Sequence, residues 1–431
     1  MKIAFISQPL DTVLPPHQNS IGLWIYEVAR RLARSCEVIV YTRGSRFRRK
    51  VEYGEGVHYR GIPMGPDRLL LRLLRRFSGL RNVKRPAFAS SLYYLGYILQ
   101  VANDLRAQQC DVVHLFNFSQ FVPVIRAFNP NMKIVLHMQC EWLTQLDRAM
   151  IERRLSEADL VIGCSEYITE KIRRRFPQFA NRYQTVFNGV DVNQFLSENG
   201  HSTAKKNGVK RLLFVGRVSP EKGVHVLLDA FQKVVERYPQ AQLEIVGSQQ
   251  QLPFEFLIAL SDDDKVCDLT SFYYLDGVLR HNYFSSLQEQ LLLSNIAAHV
   301  TFLGSVPHMH VINHYRDADV FIFPSVWDEP FGIPLVEAMA CQVPVVATRS
   351  GGMTEVVEEG KTGLLVERGD APALAEAILR LLSNKDLRRA MGKAGRRRVL
   401  DLFSWEQVVK KVLCQYQNIC EKRLDKAVPV N

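Results

Sequence analysis

Short apolar runs alternate along this chain with longer segments in which apolar residues recur every three or four positions. The short runs are continuous in Val, Ile, Leu and Phe, which is typical of β-strands covered on both faces. The longer segments are typical of helices with one buried face. Their succession predicts βαβ units and parallel sheets. We expect strands at residues 2–7, 37–42, 111–116, 133–138, 160–164, 185–188, 211–216, 242–247, 300–304, 320–324, 343–348 and 363–366.

A polar stretch at residues 196–210 separates two sets of strands and predicts a linker. It divides an N-terminal Rossmann-like domain, residues 1–195, from a C-terminal one, residues 211–400. The second domain is interrupted at residues 249–295, where we expect an irregular insertion with its own helix. Residues 401–431 carry an amphipathic helical pattern. The predicted fold class is α/β, with two Rossmann-like domains facing across a cleft that would hold the ligand site.

The composition is that of an ordinary globular protein. Of 431 residues, 47% are hydrophobic and 23% charged, and 25 Gly and 19 Pro are too few for a collagen-like or disordered chain. One long uncharged stretch, residues 86–103, contains Ser, Gly, Gln and three Tyr, which favours a buried helix over a membrane span. The start of the chain enters a strand directly, and the eight cysteines form no C-x-x-C pair. We therefore expect a reduced, cytoplasmic setting.

The net charge of +11 is concentrated in one segment. Between Arg43 and Arg85 lie thirteen basic and three acidic residues, a local excess of 13 − 3 = +10. Within it, four arginines share one face of a predicted helix whose other side carries Leu and Phe: Arg68, Arg72, Arg75 and Arg76. Such a helix suits an anionic membrane surface, and an ordinary surface helix with its Leu face in the core remains the alternative. No nucleic-acid-binding motif accompanies the charge, so no nucleic-acid partner is expected.

Two strand ends carry the candidate chemistry. After the strand DVFIFPS comes DEPFGIPLVEAMA, in which Pro334 suits a helix start and places Glu337 in the opening turn. Backbone N–H groups at such a turn favour a phosphate. After the strand LLFVG come Arg217 and Lys222, two cations that can clamp a diphosphate. Taken singly, each feature is also compatible with solvated surface charges.

Taken together, these segments resemble the retaining glycosyltransferases of family 4. EPFGIPLVEAMACQVPVVAT is similar to that family's E-x7-E motif, and FNGVD, GRVSPEKG, FLGSV and GGMTEVV occur in the family's order. The resemblance spans nearly the whole chain. It implies a GT-B architecture in which the C-terminal domain holds most of a nucleotide-diphosphate-sugar donor. The resemblance further implies that the final helix, within residues 401–431, crosses back to brace the N-terminal domain. It also implies that transfer needs no bound metal or other cofactor.

The resemblance implies a role for each matching residue. Arg217 and Lys222 would bind the donor diphosphate and stabilise it as a leaving group. Glu329 would contact the transferred sugar, and Glu337 the ribose hydroxyls. His137, in KIVLHMQCEW, matches a histidine near the anomeric carbon, although a buried core histidine is the alternative.

Further matching positions complete the implied donor site. The backbone of Phe331, Gly332 and Ile333 would line the sugar pocket, and Val306 would touch the base. Gly22 matches a first-helix glycine near the diphosphate. The family often has a second glycine beside it, where this chain has Ile21. That departure leaves residues 9–22, and part of the acceptor site, unassigned.

The expected activity is therefore retaining transfer of a sugar from a nucleotide-diphosphate sugar to a lipid-linked or polysaccharide acceptor at the cytoplasmic membrane face. As the glycosyl–phosphate bond breaks, negative charge develops on the departing diphosphate, and the preorganised cations would stabilise it. Asp262, Asp263 and Asp264 lie in the irregular insertion and are expected to be a solvated loop rather than a metal site. The rivals are a nucleotide-sugar epimerase of the same fold and a non-catalytic GT-B binding subunit.

Overall fold

The computed structural model describes residues 1–16, 18–44, 50–76, 83–195, 208–275, 278–279 and 283–421. These residues form two compact units. The first unit is Met1–Asn188 together with the segment that begins at Trp405, and the second is Gly189–Ser404. Each unit has a sheet of its own, so the two are described separately.

In the described part of the first unit, eight strands form one sheet in the order β3-β4-β2-β1-β5-β6-β7-β8. All neighbours pair in parallel except β3 and β4, which form an antiparallel hairpin at the edge. The central strands are buried on both faces, as their continuous apolar sequences require. The strands are β1 (Lys2–Ile6), β2 (Glu37–Arg43), β3 (Lys50–Gly54), β4 (Val57–Ile62), β5 (Val112–Phe116), β6 (Lys133–Met138), β7 (Leu160–Gly163) and β8 (Tyr183–Thr185).

Helices connect these strands, and three of those described begin at a residue whose side chain caps the helix. The side chain of Asn19 accepts a hydrogen bond from the Gly22 N–H at the start of the first helix, and Ser165 caps the seventh in the same way. The helices are α1 (Ser20–Leu32), α2 (Gly65–Arg76), α3 (Leu95–Gln108), α4 (Phe121–Phe128), α5 (Trp142–Gln145), α6 (Arg148–Ser156) and α7 (Glu166–Arg175).

The second unit has an entirely parallel main sheet over its described residues, in the order β13-β10-β9-β14-β15-β16. Strands β11 and β12 form a small antiparallel pair inside the insertion. The strands are β9 (Arg211–Val215), β10 (Gln242–Val246), β11 (Tyr274–Leu275), β12 (Val278–Leu279), β13 (Val300–Gly304), β14 (Val320–Phe323), β15 (Val345–Thr348) and β16 (Gly363–Val366).

The remaining helices lie between the strands of the second unit or after its last strand. They are α8 (Val224–Arg237), α9 (Asp264–Cys267), α10 (Tyr283–Leu293), α11 (His308–Asp317), α12 (Ile333–Ala340), α13 (Met353–Val356), α14 (Ala371–Ser383), α15 (Lys385–Leu402) and α16 (Trp405–Glu421). Helices α9 and α10 belong to the insertion, which also contains short 3-10 turns.

Helix α16 belongs to the first unit although the whole second unit precedes it in the chain. Its apolar face carries Trp405, Val408, Val412 and Tyr416, which are buried in one core cluster with Trp24 of α1. An ion pair between Arg31 and Glu406 joins α1 and α16 at the surface, with the closest atoms 3.2 Å apart. The first unit therefore closes around residues from both ends of the chain.

The prediction of two α/β units built on parallel sheets is confirmed. The hairpin β3–β4 was not predicted, and the strand expected at residues 185–188 is found at Tyr183–Thr185. The first unit ends at Asn188 rather than at residue 195, because Val190 forms a bridge with Ser404 and so belongs with the second unit. Of the expected linker, residues 196–207 lie outside the described residues.

Candidate active site

Three loops of the second unit leave its sheet at the same edge. Strands β9, β14 and β15 are adjacent and parallel, so the segments after them emerge at their carboxyl ends together. Arg217 and Lys222 follow β9, Glu329 follows β14, and Gly351 follows β15. Residues more than a hundred positions apart in sequence thus become neighbours.

A buried ion pair joins the first two loops. Lys222 Nζ donates to both carboxylate oxygens of Glu329, at 2.8 Å from Oε1 and 2.7 Å from Oε2. Glu329 Oε2 also accepts from Ser325 Oγ at 3.0 Å and from Trp327 Nε1 at 2.7 Å. The Lys222 ammonium lies 5.2 Å from the centroid of the Trp327 ring, a cation–π contact. The two charges are therefore fixed in one geometry before any ligand binds.

Two opposing effects determine the pKa of Glu329. Burial raises the pKa of this carboxyl group, but the charge of Lys222 and the hydrogen bonds from Lys222, Trp327 and Ser325 outweigh burial. The net result is a pKa below the ordinary value for glutamic acid, so Glu329 is a carboxylate at neutral pH. A carboxylate of this kind can accept hydrogen bonds from sugar hydroxyl groups.

Arg217 is paired with a carboxylate from its own loop. Arg217 Nη2 lies 2.8 Å from Glu221 Oε1, and Arg217 Nε donates to Ser219 Oγ at 3.2 Å. Ser219 Oγ in turn donates to Glu221 Oε1 at 2.7 Å. Glu221 is fully buried, and its backbone oxygen accepts from the Val326 N–H at 3.0 Å. This triad holds the guanidinium group at the strand edge and ties the β9 loop to the β14 loop.

Glu337 is held by two residues of helix α11. His308 Nε2 lies 2.6 Å from Glu337 Oε1, and Tyr315 OH donates to Oε2 at 2.7 Å. Helix α12 begins at Ile333, one residue earlier than predicted, so Glu337 lies in its second turn rather than in the opening turn. The half-buried Val306 lies in the loop between β13 and α11. Helix α11, which follows this loop, therefore contacts α12 through His308.

The backbone positions expected to line the sugar pocket form the start of α12. Gly332 precedes the helix with φ +98°, in the left-handed region, and its neighbour Ile333 is the first helical residue. Phe331 is buried, with its ring 5.6 Å from the ring of Phe403. The first N–H groups of an α-helix lack partners within the helix, so a helix start of this kind can offer hydrogen-bond donors to a ligand.

His137 lies in the core of the first unit. Its Nδ1 is 3.1 Å from His114 Nε2, and His114 Nδ1 is 2.6 Å from Tyr416 OH of α16. Its Nε2 is 3.1 Å from Gln139 Nε2, and Gln139 exchanges two amide hydrogen bonds with Asn188. His137 is fully buried, and burial lowers its pKa to about 3, so the ring is neutral. Gln139, at the other end of this series of hydrogen-bonded side chains from Tyr416, is half-exposed.

Gly22 is a point of close backbone approach. A Cβ atom on Gly22 would lie 1.9 Å from the carbonyl oxygen of Thr12, which a side chain does not allow. In the same loop, Asp11 is buried and accepts hydrogen bonds from Asn19 Nδ2 at 2.8 Å and from the Gln8 N–H at 3.0 Å. Burial raises the pKa of Asp11 to about 6. Gly22 thus packs the loop onto α1.

The basic segment is only partly a helix. Arg60 pairs with Asp104 at 2.9 Å and Arg85 with Asp147 at 3.0 Å, so part of its charge is used inside the fold. On α2, Arg68 and Arg72 are exposed, and Leu69 beside them is 66% exposed. The side chains of Arg75 and Arg76 lie outside the described residues. Over the ranges that the structure describes, no helix combines the length and the apolar character that a membrane span requires.

Acidic residues of the insertion are engaged with protein groups. Asp263 caps α9 by accepting from the Lys265 N–H at 3.0 Å, and its other oxygen contacts Arg368. Within the described residues, no group of three His, Cys, Asp or Glu side chains has the arrangement of a metal site. Asp263 is therefore part of a structural ion pair, whereas Asp262 and Asp264 are exposed.

The sequence analysis did not identify the residues that hold the predicted site residues and their loops in place. Glu221 precedes Lys222 directly in the GRVSPEKG motif, and its adjacency to two cations was an available signal. His308 and Tyr315 are separated by seven residues, two turns of one helix face, in the segment after FLGSV. Arg368 offered no local signal, because its partners lie about a hundred and about forty positions earlier.

Comparison with known families covers both units. Residues 21–194 match the family described as Glycosyltransferase Family 4, and residues 197–398 match the family described as Glycosyl transferases group 1. The chain is 26% identical to spore coat protein SA of Bacillus subtilis, over 97% of this chain and 99% of that protein. It is 27% identical to a D-inositol 3-phosphate glycosyltransferase of Corynebacterium urealyticum, over 97% and 96%.

A further relative is named for its transfer to lipopolysaccharide. The lipopolysaccharide 1,2-N-acetylglucosaminetransferase of Salmonella typhimurium is 24% identical, over 98% of this chain and 99% of that protein. Among solved structures, sucrose-phosphate synthase of Thermosynechococcus elongatus has a TM-score of 0.69 at 23% identity, covering 97% of this chain and 98% of that one. Anabaena HepE in complex with UDP and glucose has a TM-score of 0.66 at 20% identity, covering 96% and 98%. These structures share the fold of this chain.

Proposed function

Because this chain belongs to the GT-B glycosyltransferases of family 4, we propose that it transfers a sugar from a nucleotide-diphosphate sugar with retention of anomeric configuration. The observation that carries the proposal is the preorganised Lys222–Glu329 pair at a strand edge, with Arg217 in the neighbouring loop. A cation for a departing diphosphate and a carboxylate for a sugar lie side by side there. HepE, a protein of the same fold, binds UDP and glucose.

The two cations have distinct tasks. Arg217, with its planar fork of donors, would hold the donor diphosphate, while Lys222 provides a point charge. As the bond between the anomeric carbon and the phosphate oxygen breaks, its electron pair moves to the diphosphate. Lys222 and Arg217 stabilise that negative charge, and removing one such group typically reduces turnover 10²–10³-fold. Because these cations belong to the protein itself, the proposed reaction needs no bound metal or cofactor.

Two carboxylates would orient the donor. Glu329 accepts hydrogen bonds from hydroxyl groups of the transferred sugar while Lys222 keeps it ionised. Glu337 accepts from the ribose hydroxyls, and His308 and Tyr315 fix its position. The backbone of Phe331, Gly332 and Ile333 would line the sugar pocket. Val306 would contact the base of the nucleotide. Gly22 would contact the diphosphate.

Retention follows if the acceptor attacks from the face that the diphosphate leaves. The acceptor oxygen then forms its bond to the anomeric carbon as the phosphate oxygen departs, and the acceptor proton passes to that oxygen. His137 is proposed to act near the anomeric carbon. Since both of its ring nitrogens are engaged in the core, this role requires His137 to exchange its contact with Gln139 for one with the sugar.

We further propose a lipid-linked or polysaccharide acceptor at the cytoplasmic membrane face. Arg68 and Arg72 on α2 lie beside the exposed Leu69, a pairing of charge and apolar surface that suits anionic lipid. The relative from Salmonella typhimurium acts on lipopolysaccharide. This acceptor class connects the basic helix to the reaction.

The experiment for the activity is a thermal-shift panel with UDP, GDP, ADP and their sugars, followed by transfer assays with the donor that binds. A ligand at 100 times its dissociation constant adds about 2.7 kcal/mol of stability. The anomeric configuration of the product, read by NMR, tests retention. Interconversion of the donor sugar without an acceptor would instead identify an epimerase, and binding without any conversion would identify a binding subunit.

The membrane proposal has a separate test. Replacing Arg68 and Arg72 with Gln should weaken sedimentation with anionic vesicles by about 2 kcal/mol, roughly thirty-fold. The matched control replaces Arg389 and Arg397, two exposed arginines of α15, with Gln. Equal loss in both variants would show unspecific charge attraction. No sedimentation of the unmodified protein would remove the membrane from the proposal.

A further inference from the structure

The insertion, residues 249–295, contacts the active-site edge of the second unit at several points, one of which is Arg368. Arg368 follows strand β16, and its guanidinium group pairs with Asp263 at the start of α9. From the same helix, Lys265 Nζ donates to the backbone oxygen of Arg368. The insertion therefore holds Arg368 at both its side chain and its main chain.

The same guanidinium group also faces the loop after β14. Arg368 Nη1 lies 3.5 Å from Asp328 Oδ1 and 3.4 Å from the carbonyl oxygen of Val326. The Arg368 side chain is only 18% exposed. Arg368 thus bridges two carboxylates, one from the insertion and one adjacent in sequence to Glu329.

Asp328 continues the connection to Glu329. Its Oδ1 accepts from the Gly351 N–H at 3.0 Å, and the Gly352 N–H donates to the Glu329 backbone oxygen at 2.8 Å. The packing there is tight, because a Cβ atom on Gly351 would lie 2.3 Å from that same oxygen, and Gly351 has φ +47°. Movement of Asp328 would therefore shift the turn that fixes the main chain of Glu329.

We propose that the insertion positions the sugar-contacting carboxylate Glu329 through the bridge Asp263–Arg368–Asp328. Arg368 and Asp263 are positioning residues in this scheme, since neither contacts the reacting atoms. The name of the ligand at Glu329 rests on the proposed function, but the mechanical connection does not. The competing explanation is that Arg368 only fastens the insertion to the fold.

The test compares Asp263→Asn with Asp262→Asn, which removes the same charge from the exposed neighbouring residue. The first readout is hydrogen–deuterium exchange in the ligand-free protein. If the bridge positions the loop, Asp263→Asn raises exchange at the Gly351 and Gly352 amides, and Asp262→Asn does not. If Arg368 only fastens the insertion, exchange rises within residues 261–275 alone, and the proposal is overturned.

The second readout is donor kinetics. Because the ion pair is partly exposed, we expect Asp263→Asn to lower kcat/KM about two- to five-fold. Arg368→Met should lower it by more, since Asp328 then loses its cation. Adding Asp263→Asn to Arg368→Met should change nothing further if the effect passes through Arg368. Additive losses would contradict the bridge.

The two proposals fail in different ways. If the unmodified protein transfers no sugar from any donor, the proposed activity is wrong, while the exchange comparison still decides whether the insertion controls the Gly351 turn. If the unmodified protein is active and Asp263→Asn matches Asp262→Asn in both readouts, only the positioning proposal is wrong.

Discussion

The polar clusters of the two units are built on opposite electrostatic principles. In the second unit, each cation lies against a carboxylate, as in Lys222–Glu329 and Arg217–Glu221. In the first unit, His114 and His137 form an uncharged hydrogen-bonded chain, because burial lowers both pKa values. Desolvation acts on both clusters. A nearby opposite charge overcomes it for Glu329, whereas no such charge favours protonation of the histidines in the contacts described above.

The difference between the two clusters indicates which of them could assist a reaction through its charge. In the paired cluster, carboxylates already hold the cations in place, and such preorganised charge can stabilise negative charge on a diphosphate. The histidine chain can orient a ring or a proton, but it has no charge to offer at neutral pH.

Replacing Lys222 with Ala should reduce turnover at least a hundredfold, because the departing diphosphate loses a cation and Glu329 loses its counter-charge. The measurement is steady-state transfer at saturating donor. Lys233→Ala, which removes an exposed lysine from α8, is the control for lost positive charge. Near-normal turnover in a folded Lys222→Ala protein would contradict a catalytic role for the charge-paired cluster of the second unit.

Acid should destabilise the protein through its neutral histidines. An unfolded histidine binds a proton below pH 6.5, but folded His137 resists until about pH 3, so unfolding is favoured as the pH falls through this window. Each such histidine contributes about 1.4 kcal/mol per pH unit, a tenfold change in the unfolding equilibrium. His225 of the second unit adds to the effect, since burial lowers its pKa to about 4.

Urea unfolding between pH 7 and pH 4.5, followed by tryptophan fluorescence, measures this slope. Three of the four tryptophans, Trp24, Trp142 and Trp405, lie in the first unit, so the signal reports mainly on that unit. His137→Gln should flatten the slope, while His310→Gln on the surface should not. Equal slopes in all three proteins would mean that His137 is protonated in the folded state.

Replacing Glu337 with Gln should raise the donor KM about five-fold. The amide keeps the shape of the side chain but weakens charge-assisted hydrogen bonds to the ribose, and it leaves His308 and Tyr315 with a neutral partner. Steady-state transfer rates at varied donor concentration measure the change. Glu376→Gln on the exposed face of α14 is the matched control, and an unchanged KM would remove Glu337 from the donor site.

Tyr416→Phe should have the smallest effect on turnover, less than twofold. It removes the hydroxyl group at the end of the histidine chain and should lower the free energy of unfolding by about 1 kcal/mol. Nitrogen-15 NMR of labelled histidines would show the altered proton position on His114 and His137. Tyr53→Phe, at an exposed tyrosine, is the control. A loss of turnover as large as that of Lys222→Ala would place the histidine chain in the chemistry.

Continuous apolar strands were readily predicted, whereas the edge hairpin was not. Strand β6 matches its predicted range, since burial on both faces leaves an unbroken apolar run. Strand β13 also matches its predicted range, although it lies at the sheet edge and alternates between half-buried and exposed residues. The hairpin β3–β4 lies at the sheet edge in the basic segment, and its strands mix polar and apolar residues. Its turn, Glu55-Gly56, has two positive φ values, and a two-residue turn ending in Gly was a usable signal.

The candidate site was predictable where motif and strand end coincide. Lys222 and Glu329 could be chosen from such motifs, but their mutual contact joins residues 107 positions apart and needed the fold. The burial of His137 was one of two alternatives that the apolar run around it allowed. Arg368 could not be chosen, because its role depends on the course of the insertion rather than on any local pattern.

The position of helix α16 imposes an order on how this protein is made. The core around Trp24 includes Trp405 and Tyr416, and the ribosome synthesises these two residues only after the entire second unit. During synthesis the first sheet therefore exists with an apolar face uncovered, while the second unit can complete itself behind it. A chain halted before residue 405 would present that face to chaperones and proteases. The first unit is therefore complete only when helix α16 has been synthesised and has packed against it.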